Sequence, residues 1–179
     1  VVVAVSGVAA VRDEPVVRIA MWSGPRNLST ALMRAWENRP DTVVIDEPLY
    51  AWYLTRTGLD HPGRDEILAT YPADADGAVA RCLAPPPAGV RAVYQKHMTH
   101  HLLGELDRAW LDQLRHFMLL RDPVAVLASY TQVREDVSLA DIGLPQQLEL
   151  IDRAELVIDA DDFLTDPGAY LEVLCQRLG

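Results

Sequence analysis

The sequence predicts an α/β fold, a three-layer sandwich in which a central parallel β-sheet lies between layers of helices. Two observations lead to this prediction. Short apolar, β-branched runs alternate along the chain with stretches of helical periodicity, which is the pattern of parallel sheets. The chain has 179 residues, half of them apolar, which suits one domain with a sizeable core. We therefore expect a single domain over residues 1–179, with residues 1–15 as an N-terminal extension of unassigned structure.

The first strand and the first helix are predicted on either side of a tight turn. The apolar run VVRIAMW at residues 16–22 stops at Ser23-Gly24-Pro25, which is typical of a buried strand entering a turn. Apolar residues then recur at helical spacing over residues 28–36, so we expect a helix there. Either Asn27 or Ser29 is expected to cap the start of this helix.

The second strand is predicted at residues 42–45, where TVVI is followed by Asp46-Glu47-Pro48. The residue before a proline disfavours the helical region, so the chain is expected to leave this strand without entering a helix. Residues 50–71 have a mixed composition and are expected at the surface. The proline-rich stretch at residues 85–89 suits neither a helix nor a strand interior and is predicted as a loop.

The third and fourth strands are predicted in the middle of the chain. VRAVYQ at residues 90–95 leads into Lys96-His97-Met98, with a helix expected over residues 99–106. HFMLL at residues 116–120 ends at Arg121-Asp122-Pro123, and a helix is expected over residues 124–130.

The fifth strand, LVID at residues 156–159, precedes a closing helix that is predicted over residues 167–178. Asp166 is expected to start this helix, with a proline in its first turn. Because parallel strands all point the same way, their carboxyl ends share one edge of the sheet. Ligand sites in such folds lie at that edge.

Charge and cysteine content narrow the classes of partner. Acidic residues outnumber basic ones by 26 to 16, which gives a formal net charge of −10 and opposes binding to nucleic acid or to an anionic membrane. We therefore expect neither as a partner, and a phosphorylated ligand would need a local basic pocket.

Cys82 and Cys175 lack CxxC spacing, which favours neither a disulfide framework nor a zinc site and fits a cytoplasmic protein. The opening apolar stretch is too short to span a bilayer.

The turn after the first strand is the strongest candidate for a binding site. A strand, a Gly-Pro turn and a helix in direct succession place several backbone N–H groups and the positive end of a helix dipole at one point, where anions bind. Arg26 adds a forked cationic donor, and Ser29 and Thr30 add hydroxyl groups. The alternative is an ordinary strand-to-helix turn. The candidate binding residues are Ser23, Gly24, Pro25, Arg26, Asn27, Leu28, Ser29 and Thr30.

This turn differs from the phosphate-binding loop of nucleoside triphosphatases, which has the pattern GxxxxGK followed by Ser or Thr. Counted from Gly24, Ser29 replaces the second glycine, Thr30 replaces the lysine and Ala31 replaces the hydroxyl residue that holds magnesium. A donor that needs no metal is therefore favoured over a magnesium-bound triphosphate.

Several segments together resemble the sulfotransferases, particularly a bacterial group of sulfotransferase-like proteins. SGPRNLSTALMRAW is similar to the loop that binds the 5′-phosphosulfate in that family, and FMLLRDPVAVLASY is similar to its 3′-phosphate motif. IDEPLYAWYL and YQKHMTHHLL also resemble recurrent segments of the bacterial group. The resemblance runs from about Arg18 to the C-terminus.

The resemblance implies a P-loop-type nucleotide-binding fold and sulfuryl transfer from 3′-phosphoadenosine 5′-phosphosulfate to a hydroxyl or amine of a small-molecule acceptor. It implies that Arg121, at a strand end, and Ser129, about two helical turns later, hold the 3′-phosphate of the donor. A salt bridge from Arg121 to a neighbouring acid such as Asp122 is the alternative. No metal is expected to be required.

The acceptor needs a base, and the sequence offers several candidates for the catalytic residues. Glu47 follows the second strand, as does the glutamate base of some sulfotransferases. Many sulfotransferases carry a lysine and a base histidine at a strand end with one residue between them, whereas Lys96 and His97 are adjacent here and should point to opposite faces. His100 lies one predicted helical turn after His97 and could face the cleft in its place. A metal site at His97, His100 and His101 is the competing interpretation of this cluster.

Two other functions stay open at this point: a small-molecule kinase or nucleotide hydrolase, and a non-catalytic nucleotide-binding protein of the same fold. The identity of the acceptor is not determined by the sequence. Residues 50–76 and 133–147 are expected to recognise it, and Trp52 and Tyr53 are candidates to line its pocket. A homodimer is compatible with the sequence.

Overall fold

A five-stranded, all-parallel sheet lies at the centre of the computed structural model, which describes residues 15–132 and 137–179. The strands are β1 (Val17–Ser23), β2 (Thr42–Asp46), β3 (Ala92–Met98), β4 (Arg115–Leu120) and β5 (Leu156–Asp159). Their order is β2-β3-β1-β4-β5. The predicted N-terminal extension, except for residue 15, and residues 133–136 of the second predicted acceptor segment lie outside the described residues.

The helices lie in the connections between these strands and after the last one. They are α1 (Ser29–Glu37), α2 (Tyr50–Thr57), α3 (Arg64–Thr70), α4 (Ala75–Leu83), α5 (Pro123–Tyr130), α6 (Leu144–Leu150), α7 (Ala160–Thr165) and α8 (Pro167–Leu178). Short 3-10 helices cover Thr99–His101, Ala109–Gln113 and Ile151–Arg153. The predicted α/β architecture is therefore confirmed, and β5 and α8 have the predicted bounds.

Two hydrophobic layers form because successive side chains of a strand point to opposite faces of the sheet. On β1, Ile19 and Met21 pack in a cluster with residues of α1, α7 and α8. Ala20 and Trp22 pack in a second cluster on the other face with residues of α2, α4 and the 3-10 helix Ala109–Gln113. Both faces of the central strand are thereby covered, as a parallel sheet requires.

The third strand and the segment after it differ from the prediction. β3 continues to Met98, which pairs with Ser23 of β1, so Lys96 and His97 lie within the strand rather than after it. The helix predicted over residues 99–106 is reduced to the 3-10 helix Thr99–His101, because Leu102 leaves the helical region and buries its side chain in the second cluster. The expectation that His100 lies one α-helical turn after His97 is therefore wrong.

Residues 50–83 also fold more than the mixed composition indicates, into α2, α3 and α4. The predicted loop at residues 85–89 lacks helix and strand, as expected. The predicted cap of the closing helix is confirmed, because the carboxylate of Asp166 accepts a hydrogen bond from the backbone N–H of Ala169. Within the described ranges, no helix is long and apolar enough to cross a membrane. Cys82 and Cys175 are both free thiols.

Gly143, in the segment before α6, packs closely against the residues that follow β3. Its φ of +69° is in the left-handed region, and a Cβ atom there would lie 2.2 Å from Thr99 Oγ1 and 2.7 Å from His100 N. Gly63 has a similar φ of +78° but has nothing within 4 Å of the same position. The two glycines therefore share the backbone constraint, while close packing is confined to Gly143.

We expect Gly143→Ala to destabilise the protein more than Gly63→Ala. A left-handed alanine costs about 1–2 kcal/mol at either position, and overpacking adds about 1–3 kcal/mol at Gly143 alone. Urea unfolding of both variants measures the two losses. Equal losses would show that the contact between residues 99–100 and Gly143 is loose.

Candidate functional site

The chain that follows β1 makes a strained turn at the carboxyl edge of the sheet. Ser23 and Gly24 are buried, and Arg26 has a φ of +56°, which is rare for a residue other than glycine. A Cβ atom on Gly24 would lie 2.8 Å from both Gln147 Nε2 and Ile142 O, so only glycine fits against the segment that enters α6. Pro25 is also buried. The turn is thus fixed by packing on one side and presents Arg26 on the other.

The start of α1 differs from the predicted capping. The helix has no side-chain cap, and Ser29 lies inside it as a buried residue. Asn27 Oδ1 accepts from the N–H of Leu28, one residue before the helix, while Asn27 Nδ2 donates to the carbonyl of Leu119 on β4. Asn27 therefore ties the turn to β4.

Four helix starts carry a capping carboxylate, whereas the starts of α1, α2, α3 and α6 have no side-chain cap. The carboxylates that cap α4, α5, α7 and α8 come from Asp74, Asp122, Asp159 and Asp166. The first turn of α1 has neither such a cap nor an acidic residue. An anionic ligand suits this helix start for the reason that aspartate suits the others, because the N–H groups and the dipole favour negative charge.

The two segments singled out in the sequence meet at Arg26. Arg26 Nε donates to Ser129 Oγ at 2.9 Å, and Arg121 Nη1 donates to the carbonyl of Arg26 at 2.7 Å. The alternative partner of Arg121 is engaged elsewhere, because Asp122 accepts from Val124 N at the start of α5. Two guanidinium groups and a hydroxyl therefore lie together at the mouth of the turn and form a local basic patch in an acidic chain.

A cavity of about 120 Å³ adjoins this group. Its wall is built from the β1 turn, the end of β4, the start of α5 and the segment leading into α6. Gly24, Asn27 and Arg121 contribute to it, and Val126 supplies an apolar surface. The cavity is thus a continuation of the turn that follows β1.

Lys96 is the centre of an ion cluster beside α1. Its ammonium group lies 2.7 Å from Asp46 Oδ1 and 2.9 Å from Glu47 Oε1, and it donates to Thr30 Oγ1 at 3.3 Å. The Lys96 side chain is only 5% exposed. Burial alone would lower the pKa of Lys96, but Glu47 and Asp46 outweigh it and hold the pKa above its ordinary value. Lys96 is therefore charged and links β2, β3 and α1.

Glu47 lies in a second strained turn. Its φ is +41°, and only Glu47 and Arg26 combine a positive φ with a side chain among the described residues. The turn is held by hydrogen bonds from Glu47 N to the Lys96 carbonyl and from Tyr50 N to the Glu47 carbonyl. Backbone strain of this kind costs about 1–3 kcal/mol and tends to concentrate at functional sites.

The structure places His97 away from the other candidate catalytic residues. Its ring stacks on Trp22 at a centroid distance of 4.3 Å, and Nε2 contacts Gln95 Oε1 at 3.1 Å. The residue is 1% exposed, and burial followed by the charge of His116 lowers the pKa of His97 to about 3. The alternation of β3 explains this position, since Lys96 faces the carboxylates and His97 faces the opposite core.

A second cavity, of about 370 Å³, opens beside Glu47. Its lining comes from the start of α2, the α2–α3 connection, the end of β3 and the segments on either side of residues 133–136. Of the predicted residues, Pro25, Glu47, Tyr53 and His100 line it, whereas Trp52 is buried in the core. Pro25 also lines the first cavity, so the two cavities adjoin at the β1 turn.

Sequence reasoning missed several residues of this site. They are Asp46, Tyr50, His101 and Asp141. Asp46 pairs with Lys96 in the register of β2 and β3, so knowledge of which strands are neighbours would have found it. Tyr50 and His101 stand in two segments that resemble the bacterial group, and Asp141 stands in a predicted acceptor segment, but no signal in the sequence assigned any of them to this cavity. Within residues 15–132 and 137–179, no group of three His, Cys, Asp or Glu side chains could hold a metal ion.

The chain is similar to several known proteins. A family model described as a sulfotransferase domain matches residues 17–179. Two relatives from Arabidopsis thaliana, branched-chain-amino-acid aminotransferase-like proteins 2 and 1, are 34% and 36% identical in alignments 166 positions long that cover 89% of this chain. The chain spans only 29% and 30% of the length of these relatives.

A solved structure gives an independent comparison of the fold. The sulfotransferase from Alicyclobacillus acidocaldarius superposes with a TM-score of 0.55 at 17% identity, covering 89% of this chain and 80% of that one. At this identity the likeness shows a shared α/β fold.

We expect the free energy of unfolding to fall as the pH drops below 6.5. Burial lowers the pKa of His97, His101 and His116, so the unfolded chain takes up protons that the folded protein does not bind. The folded protein therefore loses stability as the pH falls, by up to about 1.4 kcal/mol per pH unit for each such histidine. Urea unfolding between pH 7 and pH 5 measures the slope.

In the variant His97→Asn, the unfolding free energy should change less steeply with pH, by the contribution of one histidine. This holds whatever the stability of the variant at pH 7. His61→Asn, which replaces an exposed histidine in the same way, is the comparison variant. An unchanged slope in His97→Asn would show that the imidazole takes up a proton in the folded protein.

Proposed function

The chain belongs to the sulfotransferase family, and on that premise we propose that it moves a sulfuryl group from 3′-phosphoadenosine 5′-phosphosulfate to a hydroxyl or amine of a small-molecule acceptor. The observation that carries the proposal is the meeting of Arg26, Arg121 and Ser129 at one point. These residues come from two segments about 100 residues apart, each of which resembles a donor-binding motif.

The β1 turn suits the 5′-phosphosulfate. Backbone N–H groups at the uncapped start of α1, the Thr30 hydroxyl and the Arg26 guanidinium can all donate to anionic oxygens. Arg121 and Ser129, on the β4 side of the same mouth, suit the 3′-phosphate. Lys96 adds a buried positive charge next to Thr30. These groups can stabilise negative charge on the leaving nucleotide, so the proposal requires no metal.

The transfer itself breaks one bond and forms another at sulfur. The acceptor oxygen or nitrogen bonds to the sulfur while the bond from sulfur to the bridging oxygen of the phosphosulfate breaks. The electron pair of that bond remains on the nucleotide phosphate, and the acceptor gives up its proton. Arg26 and the α1 N–H groups act on the side where negative charge develops.

We assign the base to Glu47. Glu47 lines the second cavity, which we assign to the acceptor. Its strained turn fixes its position, and Lys96 holds one of its oxygens at 2.9 Å. His100 lines the same cavity and is the second candidate. His97 is not chosen, because it is buried against Trp22 on the opposite face. Lys96 thus positions the base and lies close to the donor loop at the same time.

Binding of 3′-phosphoadenosine 5′-phosphate, measured by calorimetry, tests the donor site. We expect metal-independent binding that Arg26→Ala and Arg121→Ala each weaken by roughly 10- to 100-fold, the range for a lost charge-assisted hydrogen bond. Arg115→Ala is the matched control, because Arg115 begins β4 at the opposite edge and pairs with Glu155. Tighter binding of ATP with magnesium would overturn the sulfotransferase proposal, and binding of neither nucleotide would favour a non-catalytic protein.

Transfer of a radiolabelled sulfuryl group, with the best acceptor from a panel of phenols, alcohols and amines, tests the base. Glu47→Gln keeps an oxygen that can accept from Lys96 but removes the basic carboxylate, so the rate of transfer should fall by about 10²- to 10⁴-fold. Affinity for 3′-phosphoadenosine 5′-phosphate should change little.

Asp46→Asn is the matched control for that measurement. It alters a carboxylate on the same Lys96, but Asp46 does not line the cavity of about 370 Å³. We expect a loss of less than about tenfold in Asp46→Asn, since no proton transfer is removed. A larger loss in His100→Asn than in Glu47→Gln would assign the base to His100 instead.

A further inference from the structure

Asn27 uses both halves of its side-chain amide on the protein itself. Its Nδ2 donates to the carbonyl of Leu119 at 2.8 Å, and its Oδ1 accepts from the N–H of Leu28 at 2.7 Å. The side chain is half-buried in the turn that follows β1. One amide thus joins this turn to β4 and holds the N–H group that comes next in the chain.

The anchor of this amide on β4 is rigid. Leu119 is buried, and it pairs with Ser23 of β1 on one side and with Ile158 of β5 on the other. Ser23 is the last residue of β1, so Asn27 supplies a donor to β4 after the neighbouring strand has ended. The turn is therefore fastened to an interior strand of the sheet as well as to the strand from which it leaves.

The acceptor half of the amide determines which N–H groups stay open to an anion. Asn27 Oδ1 takes the N–H of Leu28, and the N–H of Leu32 donates to the Leu28 carbonyl as the first bond of α1. The N–H groups of residues 29–31 lie between these two and have no acceptor within an α-helix. Asn27 thus sets the orientation of the peptide that leads directly into these three groups.

A neutral side chain at this position suits an anion better than a carboxylate would. The capped helices α4, α5, α7 and α8 begin after an aspartate, whose charge offsets the positive end of the helix dipole. Asn27 accepts a hydrogen bond without adding negative charge, and it donates to Leu119, which a carboxylate cannot do. On its other side, the carbonyl of Arg26 is held by Arg121 Nη1 at 2.7 Å. The backbone is therefore fixed on both sides of Asn27, while the start of α1 stays positive.

We propose that Asn27 is a positioning residue for the donor and not one of its ligands. This inference rests on the proposed function. The amide holds the turn so that the N–H groups of residues 29–31 face the 5′-phosphosulfate before the donor arrives. Donor groups that are already ordered bind a ligand more tightly, because binding does not have to order them. The amide keeps its bonds to Leu28 and Leu119 in the complex, and the 3′-phosphate does not depend on it.

Two nucleotides that differ only at the 5′ end test the inference: 3′-phosphoadenosine 5′-phosphate and adenosine 3′-phosphate. Affinities come from titrations followed by NMR. We expect Asn27→Ala to weaken the first by at least about tenfold and the second by less than about threefold, because only the 5′ end relies on the ordered turn. Asn27→Asp should weaken the first by at least as much, since it cannot donate to Leu119 and adds negative charge. Asn38→Ala, at the exposed C-cap of α1, is the matched control and should change neither affinity.

Two further NMR measurements separate positioning from direct contact with the donor. Without nucleotide, hydrogen exchange at the Leu28 amide should be about tenfold faster in Asn27→Ala, because its acceptor is gone, and close to wild type in Asn27→Asp, which keeps an acceptor. In the wild-type protein, the scalar coupling from Asn27 Nδ2 to the Leu119 carbonyl should persist at saturation with 3′-phosphoadenosine 5′-phosphate. This last measurement needs no variant, so it decides the question even if a variant does not fold.

The outcomes separate this inference from the proposed function. An equal or absent loss for the two nucleotides in Asn27→Ala, or unchanged exchange at Leu28, overturns the positioning role and leaves the donor site intact. Loss of the coupling between Asn27 and Leu119 when the nucleotide binds makes Asn27 a ligand and overturns it as well. Failure of the wild-type protein to bind 3′-phosphoadenosine 5′-phosphate is a failure of the proposed function, and the positioning role fails with it.

Discussion

The rest of the structure depends on the parallel pairing of β1 with strands on both sides. Hydrogen bonds to β3 and β4 fix its whole length, and the pair Ser23 and Met98 sets where its carboxyl end stops. Because all five strands point the same way, the turns that follow β1, β2 and β4 leave at one edge. The strained turns at Arg26 and Glu47 persist because this sheet and the layers packed on it hold both of their ends.

Contacts across that edge convert separate sequence segments into one site. The carbonyl of Arg26 holds Arg121, the side chain of Arg26 reaches Ser129, and Asn27 is tied to β4. On the other side, Lys96 joins β3 to the acidic end of β2 and to α1. Positive charge is thus concentrated near the start of α1, while carboxylates face the neighbouring cavity.

The alternation of β3 divides its polar residues between two tasks. Lys96 faces the carboxylates, while His97 is packed between Trp22 and Trp110 on the other face. Gln95 donates to the carbonyl of Cys82 and contacts His97, and Trp22 donates to His116. This buried polar network supports the face that carries α2 and α4. Because the network contains buried, neutral imidazoles, the stability of the fold is sensitive to acid.

The sequence by itself determined the alternating elements, the strand β5, the helix α8 and the turn that follows β1. These features are local, since periodicity, proline, glycine and capping residues act over a few positions. Only the tertiary structure decided that β3 runs on to Met98, that α1 starts uncapped, and that Lys96 meets Asp46 and Glu47. It also decided that His97 is buried and that Tyr50, His101 and Asp141 line one cavity. Strand order and burial depend on contacts between residues far apart in the chain, which no local pattern encodes.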